Sequence, residues 1–346
     1  MEHIGIDLGA TRSHIVVLSA KGELKKKLEL PTPELPDWLM KQKRSRVVME
    51  ACTQSTRIAE ASREGNHETF VVPGQVVRAL GVGARGIKTD DRDAQVLARA
   101  SVRSDELPSV HTRSEASRSQ KEMLCARAIL VKSRKQISLH IKSWFRGRLC
   151  NLSGRANSAY FAQVVRELAL SLPDGLSSAM ESLLVVYEEL TKQIEQLDKE
   201  LSRLATSDDN CKRAMTMPGV GAVTAVAFIA AVDDPERFES SEQLASYMGL
   251  VPGENTTGGK IARAGTIKAG PKYLRSLLVQ CAWVMWRTRP NDPMVLWAQK
   301  IADKRGKRIA IIALARKMSV VLWAMWKSKT NYDPSRASSV RAERNP

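Results

Sequence analysis

The sequence predicts an α/β domain with a mixed sheet at the start of the chain, followed by a longer region that is mostly helical. Apolar residues alternate with period two over 4–8 and again over 13–19, which is the pattern of consecutive strands. After a proline-rich break at 31–36, further strands are predicted over 46–50 and 68–72, with helices between and after them. Three strands in succession, followed by alternating helices and strands, indicate a mixed sheet with helices on its faces.

The helices that accompany these strands are predicted near Leu39, over 55–63 and from about Thr89. From about Ser119 the spacing of apolar residues becomes helical throughout. A first long helix carries one apolar stripe among basic residues, made by Leu124, Ile129, Ile137, Ile141, Trp144 and Phe145.

A second long helix carries a seam at alternating spacings of four and three, which is typical of coiled coils. The seam is made by Leu183, Tyr187, Leu190, Ile194, Leu197, Leu201 and Leu204. The spacing fits packing on the first long helix and equally fits contact with another copy of the chain. Loops are predicted around 153–158 and at 173–175.

The length of 346 residues exceeds a typical domain of roughly 100 to 200 residues. We predict a sheet domain over 1–118, a helical connector over 119–211 and a mostly helical C-terminal domain over 212–330. The remaining 331–346 are polar and basic, and disorder is expected there.

The chain has 54 Lys and Arg against 37 Asp and Glu, a formal net charge of +17. Such an excess favours a polyanionic partner, because cations that neutralise phosphates release condensed counterions. Two segments concentrate the charge: 121–150 has eight basic residues and one acid, and 255–275 has five basic residues and no acid. Nucleic acid is therefore the expected partner.

No stretch approaches the roughly 20 uncharged apolar residues that span a membrane, and no secretory leader is visible. We expect a soluble cytoplasmic protein with no membrane partner. The five cysteines are widely spaced and form no Cys-x-x-Cys pair, so neither a disulfide framework nor a zinc site is indicated. They are expected to be reduced, half-buried thiols.

Four carboxylates form the first candidate site. Asp7 lies in a predicted strand, and Glu50 ends another after the run Val-Val-Met. Asp90 and Asp93 follow Thr89, a suitable helix N-cap, and are three apart on one helical face. Acids borne by strand, strand and helix are what a ribonuclease H-like site requires, and their hard oxygens suit Mg²⁺ or Mn²⁺. Alternatively, acids at a helix start favour the macrodipole and are simply solvated.

Two further features lie in the C-terminal region. Pro218 to Gly221, with Gly219 and Gly221, precedes an apolar helix and is similar to the turn of a helix-hairpin-helix, whose amides hold a DNA phosphate. A turn that merely opens a helix is the alternative. Thr256 and Thr257 stand beside two glycines and could bring a hydroxyl to a phosphate. The basic residues that follow are Lys260, Arg263, Lys268, Lys272 and Arg275. A surface loop that touches DNA without chemistry fits the same residues.

Taken in order, these motifs resemble the DEDD transposases of the insertion-sequence-110 family over nearly the whole chain. The matching segments are IGIDLG, VVMEA, KTDDRDA, MPGVGAVTA, LASYMGLVP and TTGGKIARAGTIKAGPKYLR. The resemblance implies a RuvC-like catalytic domain, a helical connector and a C-terminal transposase domain with a hydroxyl nucleophile. It also implies a homo-oligomer, dimer or tetramer, on DNA, guided by a structured bridge RNA.

By position, the resemblance makes Asp7, Glu50, Asp90 and Asp93 the metal-binding acids. The family's nucleophile is usually a serine, whereas this chain has threonines. The extra methyl of threonine restricts χ1 and crowds an attack on phosphorus. We expect Thr257, next to Gly258, to be the nucleophile, with Thr256 as the alternative.

Other classes fit part of the sequence. Residues 4–24 are also compatible with the first phosphate loop and hairpin of an actin-like ATPase or sugar kinase, but the second phosphate loop of that class is not evident. A DEDD exonuclease would have Asp-x-Glu where this chain has Asp7-Leu8-Gly9. A catalytically inactive nucleic-acid-binding protein is the third alternative, because the serine is missing.

Overall fold

The computed structural model shows a chain of two compact units, Met1–Arg113 and Ser114–Pro346. The residues that the structure describes are 1–79, 90–152, 160–257, 260–266 and 270–339.

The first unit is built on a five-stranded sheet. Its strands are β1 (Glu2–Asp7), β2 (Arg12–Leu18), β3 (Leu24–Pro31), β4 (Ser45–Glu50) and β5 (Glu68–Val72). The order across the sheet is β3-β2-β1-β4-β5. The pairs β1–β2 and β2–β3 are antiparallel, whereas β1–β4 and β4–β5 are parallel. Short turns join the antiparallel strands, and a helix joins the parallel strands β4 and β5, as their geometry requires. The predicted mixed sheet of ribonuclease H-like type is confirmed.

Helices cover both faces of this sheet. They are α1 (Leu35–Met40), α2 (Ser55–Glu64), α3 (Gly74–Ala79) and α4 (Asp90–Arg103). Successive residues of a strand point to opposite faces, so the two faces have separate cores. Val17 and Met49 pack with residues of α1 and α2, whereas Val16 and Val48 belong to the clusters on the α4 side.

Helix α4 packs directly on the backbone of β1 at Gly5. A Cβ atom at this position would lie 2.1 Å from the carbonyl oxygen of Ala94 and 2.5 Å from the amide nitrogen of Ala98. Ala94 and Ala98 are themselves fully buried. Two small side chains and one absent side chain therefore let the helix approach the strand, and no larger residue fits at position 5.

The other end of α4 is held by a buried arginine of β4. Arg46 is 5% exposed, and its guanidinium donates to the carbonyl oxygens of Ser101 (3.1 Å), Ser104 (2.8 Å) and Asp105. The last carbonyls of a helix lack backbone donors, and a cation there is also favoured by the helix dipole. Arg46 therefore fixes the C-terminal end of α4 to the sheet.

The second unit is mostly helical, as predicted for this part of the chain. Its helices are α5 (Glu115–Arg146), α6 (Phe161–Ala169), α7 (Ser178–Ser207), α8 (Asp209–Met215), α9 (Ala222–Val232), α10 (Ser241–Tyr247), α11 (Lys272–Thr288), α12 (Pro293–Arg305), α13 (Lys307–Ser328) and α14 (Pro334–Ser339). The loop predicted around 153–158 lies outside the described residues.

The two long helices, α5 and α7, pack against each other within the chain. Arg127 of α5 forms an ion pair with Asp198 of α7, and the seam residues Tyr187, Ile194 and Leu201 are buried. The seam of α7 therefore packs against α5 within the second unit. The alternate seam positions Leu183, Leu190, Leu197 and Leu204 are only half-buried.

The prediction that Ile129 belongs to the apolar stripe of α5 is wrong. Ile129 is 64% exposed, whereas Arg134 and Ser138 are buried. Ile129 lies five positions after Leu124, which turns its side chain about 140° away from that residue on a helix of 3.6 residues per turn. The real stripe therefore includes two polar residues that an apolar pattern passes over.

Helices α9 and α13 supply much of the core of this unit. From Thr224 to Val232 every residue of α9 is buried, which explains why this helix is apolar all round. Helix α13 is the one described helix whose length and apolar composition would suffice to cross a membrane. Most of it is buried in the protein core, and Arg316 and Lys317 interrupt its apolar sequence.

A β-hairpin interrupts the helices. Its strands are β6 (Pro252–Thr257) and β7 (Lys260–Thr266), which pair antiparallel with Thr257 opposite Lys260. The sequence predicted only a glycine-bearing loop here, because the strands lack a clear alternation of apolar and polar residues.

The tail also departs from the prediction of disorder, since α14 forms after Asp333. The carboxylate of Asp333 accepts a hydrogen bond from the backbone N–H of Ser335 (2.9 Å). The phenol of Tyr332 donates to Asp292 (2.8 Å). Local capping and this contact order the segment as far as Ser339; 340–346 lie outside the described residues.

The cysteines are free thiols, as predicted, but only Cys150 is half-buried. Cys52 and Cys125 are exposed, and Cys211 and Cys281 are buried. Burial raises the pKa of the Cys211 thiol to about 12. The side chain of Cys211 behaves as a packing residue of the core, since its reactive thiolate form is disfavoured.

The turn between α8 and α9 contains two glycines with different surroundings. Gly219 has φ +87°, and a Cβ there would lie 2.6 Å from the carbonyl oxygen of Cys281 in α11. Gly221 is the N-cap of α9 and has nothing within 4 Å of the position that its Cβ would take. Gly219 is therefore required by packing and backbone conformation, whereas Gly221 has room for a side chain.

We expect Gly5→Ala to destabilise the first unit by about 3 kcal/mol or more, at the upper end of overpacking effects, because the clash is with helix backbone. Thermal and urea denaturation followed by circular dichroism measure this. The control is Gly147→Ala, since a Cβ at Gly147 meets nothing closer than 3.5 Å. Wild-type stability of Gly5→Ala would show that α4 does not rest on β1.

The turn before α9 gives a matched pair of substitutions. Gly219→Ala should cost about 2 kcal/mol or more, since strain at positive φ adds to the clash with α11. Gly221→Ala should cost less than about 1 kcal/mol, the difference between glycine and alanine as an N-cap. Equal effects in urea denaturation would contradict the packing that distinguishes the two glycines.

Candidate active site

Two of the predicted acids end neighbouring parallel strands. Asp7 is the last residue of β1 and Glu50 is the last residue of β4. The register pairs Ile6 with Met49, the residues that precede them. Asp7 and Glu50 therefore lie side by side at the carboxyl edge of the sheet, and both are half-buried.

The carboxylate of Glu50 lies against the first residue of α3. A Cβ at Gly74 would be 2.6 Å from Oε1 of Glu50, so the absence of a side chain at Gly74 leaves the space that the carboxylate occupies. The backbone of Ala51, next in the chain, donates to the carbonyl oxygen of Val72 (2.9 Å). This hydrogen bond continues the β4–β5 pairing one residue beyond Glu50 and therefore fixes the position of the Glu50 backbone.

The direction of α4 brings its acidic end toward the same edge. Ser101 meets His3, with 2.8 Å between Oγ and Nδ1, whereas Ala94 and Ala98 meet Gly5. Residues nearer the N-terminus of α4 therefore lie beside residues nearer the C-terminus of β1. The first residues of the helix, including Asp90 and Asp93, consequently lie toward the end of β1 that carries Asp7.

Asp93 is 7% exposed and immediately precedes Ala94, whose carbonyl lies over Gly5. Asp90 begins α4, and its side chain lies outside the part that the structure describes. Among the described side chains, no three Asp, Glu, His or Cys residues are grouped closely enough to hold a metal ion. The donor chemistry nevertheless fits a hard cation, since all four candidates are carboxylates.

The candidate nucleophiles lie in the second unit. Thr256 and Thr257 are the last two residues of β6, and 258–259, which follow them, are outside the described residues. In the register of the hairpin, Thr257 is opposite Lys260 and Thr256 is opposite Ile261. A basic residue is therefore paired across the hairpin with the threonine favoured as nucleophile.

The predicted nucleic-acid-binding residues follow from this hairpin into α11. Lys260 and Arg263 belong to β7, and Lys268 lies outside the described residues. Lys272 begins α11 and is exposed, and Arg275, one turn later, donates to the carbonyl oxygen of Met248 (3.3 Å). The glycines Gly219 and Gly221 lie before α9. Close packing of this turn on α11 explains why position 219 is a glycine.

Besides Arg134 on α5, two buried cations of the described residues were not predicted from the sequence. Arg46 anchors α4, and its only signal was a charged residue at the start of a strand that is otherwise apolar. Lys317 is 7% exposed in the middle of α13. In the sequence it follows another basic residue, and such pairs usually lie on a solvated helix face. Both positions need three-dimensional contacts to be recognised.

Comparison with known proteins identifies the family. A transposase family model, that of DEDD transposases of IS110 type, matches residues 4–147. A second model, described as Transposase IS116/IS110/IS902 family, matches residues 211–294. The two models thus match successive parts of the chain, and the first includes all four candidate acids.

Several curated proteins are similar over most of their length. The transposase for insertion sequence element IS1111A of Coxiella burnetii is 30% identical over 295 residues, covering 83% of this chain and 79% of that protein. A probable family 20 transposase of Pseudomonas aeruginosa is 25% identical, with 96% and 99% covered. The transposase for IS1328 of Yersinia enterocolitica is 26% identical, with 93% and 96% covered. The chain therefore belongs to the transposase family of the IS110, IS116 and IS902 insertion sequences.

Proposed function

We propose that this transposase cleaves and transfers DNA strands by attack of the Thr257 hydroxyl on a phosphodiester, assisted by Asp7, Glu50, Asp90 and Asp93. The observation that carries the proposal is the placement of Asp7 and Glu50 on adjacent parallel strands, with the acidic end of α4 directed toward them. Because the chain belongs to a transposase family, we no longer consider an actin-like ATPase or a sugar kinase as its function. The proposed division of labour is a sheet domain with the acids, a helical connector, and a C-terminal domain with the hydroxyl.

The four carboxylates would hold Mg²⁺ or Mn²⁺, because hard cations prefer oxygen ligands. Such an ion would stabilise the negative charge that develops on the phosphate and the leaving oxygen. The protein's own part is to hold the acids in place: β1 and β4 fix Asp7 and Glu50, and the contact at Gly5 fixes the start of α4. Burial of Asp93 beside that contact restricts its side chain to a narrow range of positions.

The attacking group would come from the hairpin of the second unit. In the proposed step, Oγ of Thr257 loses its proton and forms a bond to phosphorus. The bond from phosphorus to one DNA oxygen breaks, and that oxygen takes up a proton, so that the number of protons is conserved. The phosphodiester is conserved in the bond to the enzyme, so rejoining to another strand needs no external energy. Thr256 is the alternative nucleophile. Lys260 and Arg263 on β7, with Lys268, Lys272 and Arg275, would bind the phosphates of the DNA.

The proposed partners are DNA, comprising element ends and target, and a structured bridge RNA. The net charge of +17 supports a polyanionic partner. A homo-oligomer, dimer or tetramer, is proposed through the connector, where alternate seam positions of α7 are only half-buried. The proposed location is the cytoplasm, on the nucleoid when DNA is bound.

A denaturing-gel assay for covalent protein–DNA adducts tests the reaction. Full-length protein is mixed with labelled junction DNA, RNA transcribed from the gene's flanks, and Mg²⁺ or EDTA. Wild type should form an adduct in Mg²⁺ only. Asp7→Asn and Asp93→Asn should lower its yield by about 100-fold or more, because charge stabilisation in the transition state is lost. Thr257→Ala should abolish it, and Thr257→Ser should form it faster, since the crowding methyl is gone.

Matched controls are Asp303→Asn and Thr288→Ala, which change exposed residues of α12 and α11 and should leave the adduct intact. An adduct that persists in Thr257→Ala and disappears in Thr256→Ala would move the nucleophile by one residue. Free nicks without any adduct would indicate a nuclease. Bound but uncut DNA would indicate a protein that only binds nucleic acid.

A further inference from the structure

A small cavity lies between three helices of the second unit, and its lining residues are none of those to which a role is assigned above. It has a volume of about 150 Å³ and is bordered by Glu242 of α10, Trp297 of α12, and Arg316, Lys317 and Val320 of α13. Sites for drug-sized molecules are typically about 300 to 1,000 Å³. The cavity therefore suits a single ring or chemical group.

The buried cation of this cavity is Lys317. It is 7% exposed, and its ammonium makes no hydrogen bond or ion pair with the residues that the structure describes. Its Nζ lies 4.8 Å from the ring centre of Trp297. The buried part of Lys317 is thus its aliphatic stem, and the cation–π contact of its ammonium is worth about 2 kcal/mol at most.

The charges around Lys317 do not neutralise it. Burial lowers the pKa of its ammonium, and the more distant carboxylate of Asp292 opposes this only in part. Asp292 is itself engaged by the phenol of Tyr332 and the backbone N–H of Met294. The guanidinium of Arg316 likewise has no partner among the described residues. Two cations thus border the cavity with one acid, Glu242.

Resting on the nucleic-acid partner proposed above, we propose that this cavity binds the base of one unpaired nucleotide against Trp297, with the phosphate of that nucleotide outside the cavity at Arg316 and Lys317. An aromatic ring beside basic side chains is the combination that binds single strands, because the ring stacks on the base while the cations contact the backbone. The carboxylate of Glu242, which accepts a hydrogen bond from Ser241 (3.0 Å), can also accept from an amino group of the base. The apolar wall at Val320 suits a planar ring better than a bare phosphate.

The site is tested by binding and crosslinking in EDTA, so that the proposed cleavage reaction plays no part. The probes are short labelled single strands of oligothymidylate and oligouridylate, each carrying one photoreactive 5-iodouracil. Binding to full-length protein is followed by fluorescence anisotropy at several salt concentrations. After irradiation, mass spectrometry locates the crosslink. Trp297 is the sole aromatic residue of the tryptic peptide 288–300, where we expect it.

Two substitutions in the cavity have different expected signatures. Trp297→Leu should abolish the crosslink and weaken binding about 5- to 150-fold, which corresponds to the loss of one stacked base. Lys317→Met should weaken binding about tenfold and lower the salt slope of log affinity by about 0.7, the value for one lost phosphate contact with a single strand. A substitution that only perturbed packing would not change that slope.

Lys304→Met is the matched control, since Lys304 is an exposed residue at the end of α12 and should leave the crosslink at wild-type yield. Because Lys317 is buried, thermal denaturation accompanies each variant, and Arg316→Gln replaces Lys317→Met if the latter does not fold. Crosslinking of the oligothymidylate alone would assign the site to DNA, and crosslinking of the oligouridylate alone would assign it to RNA. Crosslinking of both probes would show that the site accepts either nucleic acid. No crosslink in 288–300, or unchanged binding by folded Lys317→Met, would overturn the proposal.

Discussion

The contact between α4 and β1 at Gly5 is the constraint on which the first unit depends. Because no side chain stands between helix and strand, the distance and direction of α4 are set by backbone atoms, which cannot relax as flexible side chains do. Arg46 holds the other end of the helix through three carbonyl oxygens. Two features far apart in the sequence thus determine where the acidic start of α4 lies.

Much of this unit could be predicted from the sequence. Period-two patterns located the strands, and the order of strands and helices gave the mixed sheet. Glu50 could be placed at a strand end because it follows an apolar run, whereas Asp7 was placed within a strand that the structure ends at this residue. The helix acids were found from their spacing. The roles of Gly5 and Arg46 could not be found in this way, since a glycine in a strand or an arginine at a strand start acquires meaning only from the helix that packs there.

The second unit shows a different limit. The seam of α7 predicted coiled-coil packing but fitted two partners, and the pairing of Arg127 with Asp198 shows that α5 is one of them. The hairpin that carries Thr256 and Thr257 was missed because its strands are polar and rich in glycine and threonine. Gly219 and Gly221 looked alike in the sequence, yet only the first lies against α11. Lys317 follows another basic residue on α13, and its burial becomes visible only from the helices that pack around it.

The central claim is that α4 delivers Asp93 to the same cation as Asp7 and Glu50. The most direct measurement is Mn²⁺ binding to the full-length protein with junction DNA, followed by electron paramagnetic resonance of the free ion. The account predicts that Asp7→Asn and Asp93→Asn both lose the tightly bound Mn²⁺, whereas Asp303→Asn keeps it. Mn²⁺ binding by folded Asp93→Asn with wild-type affinity and stoichiometry would contradict the account, because the helix would then not contribute to the site.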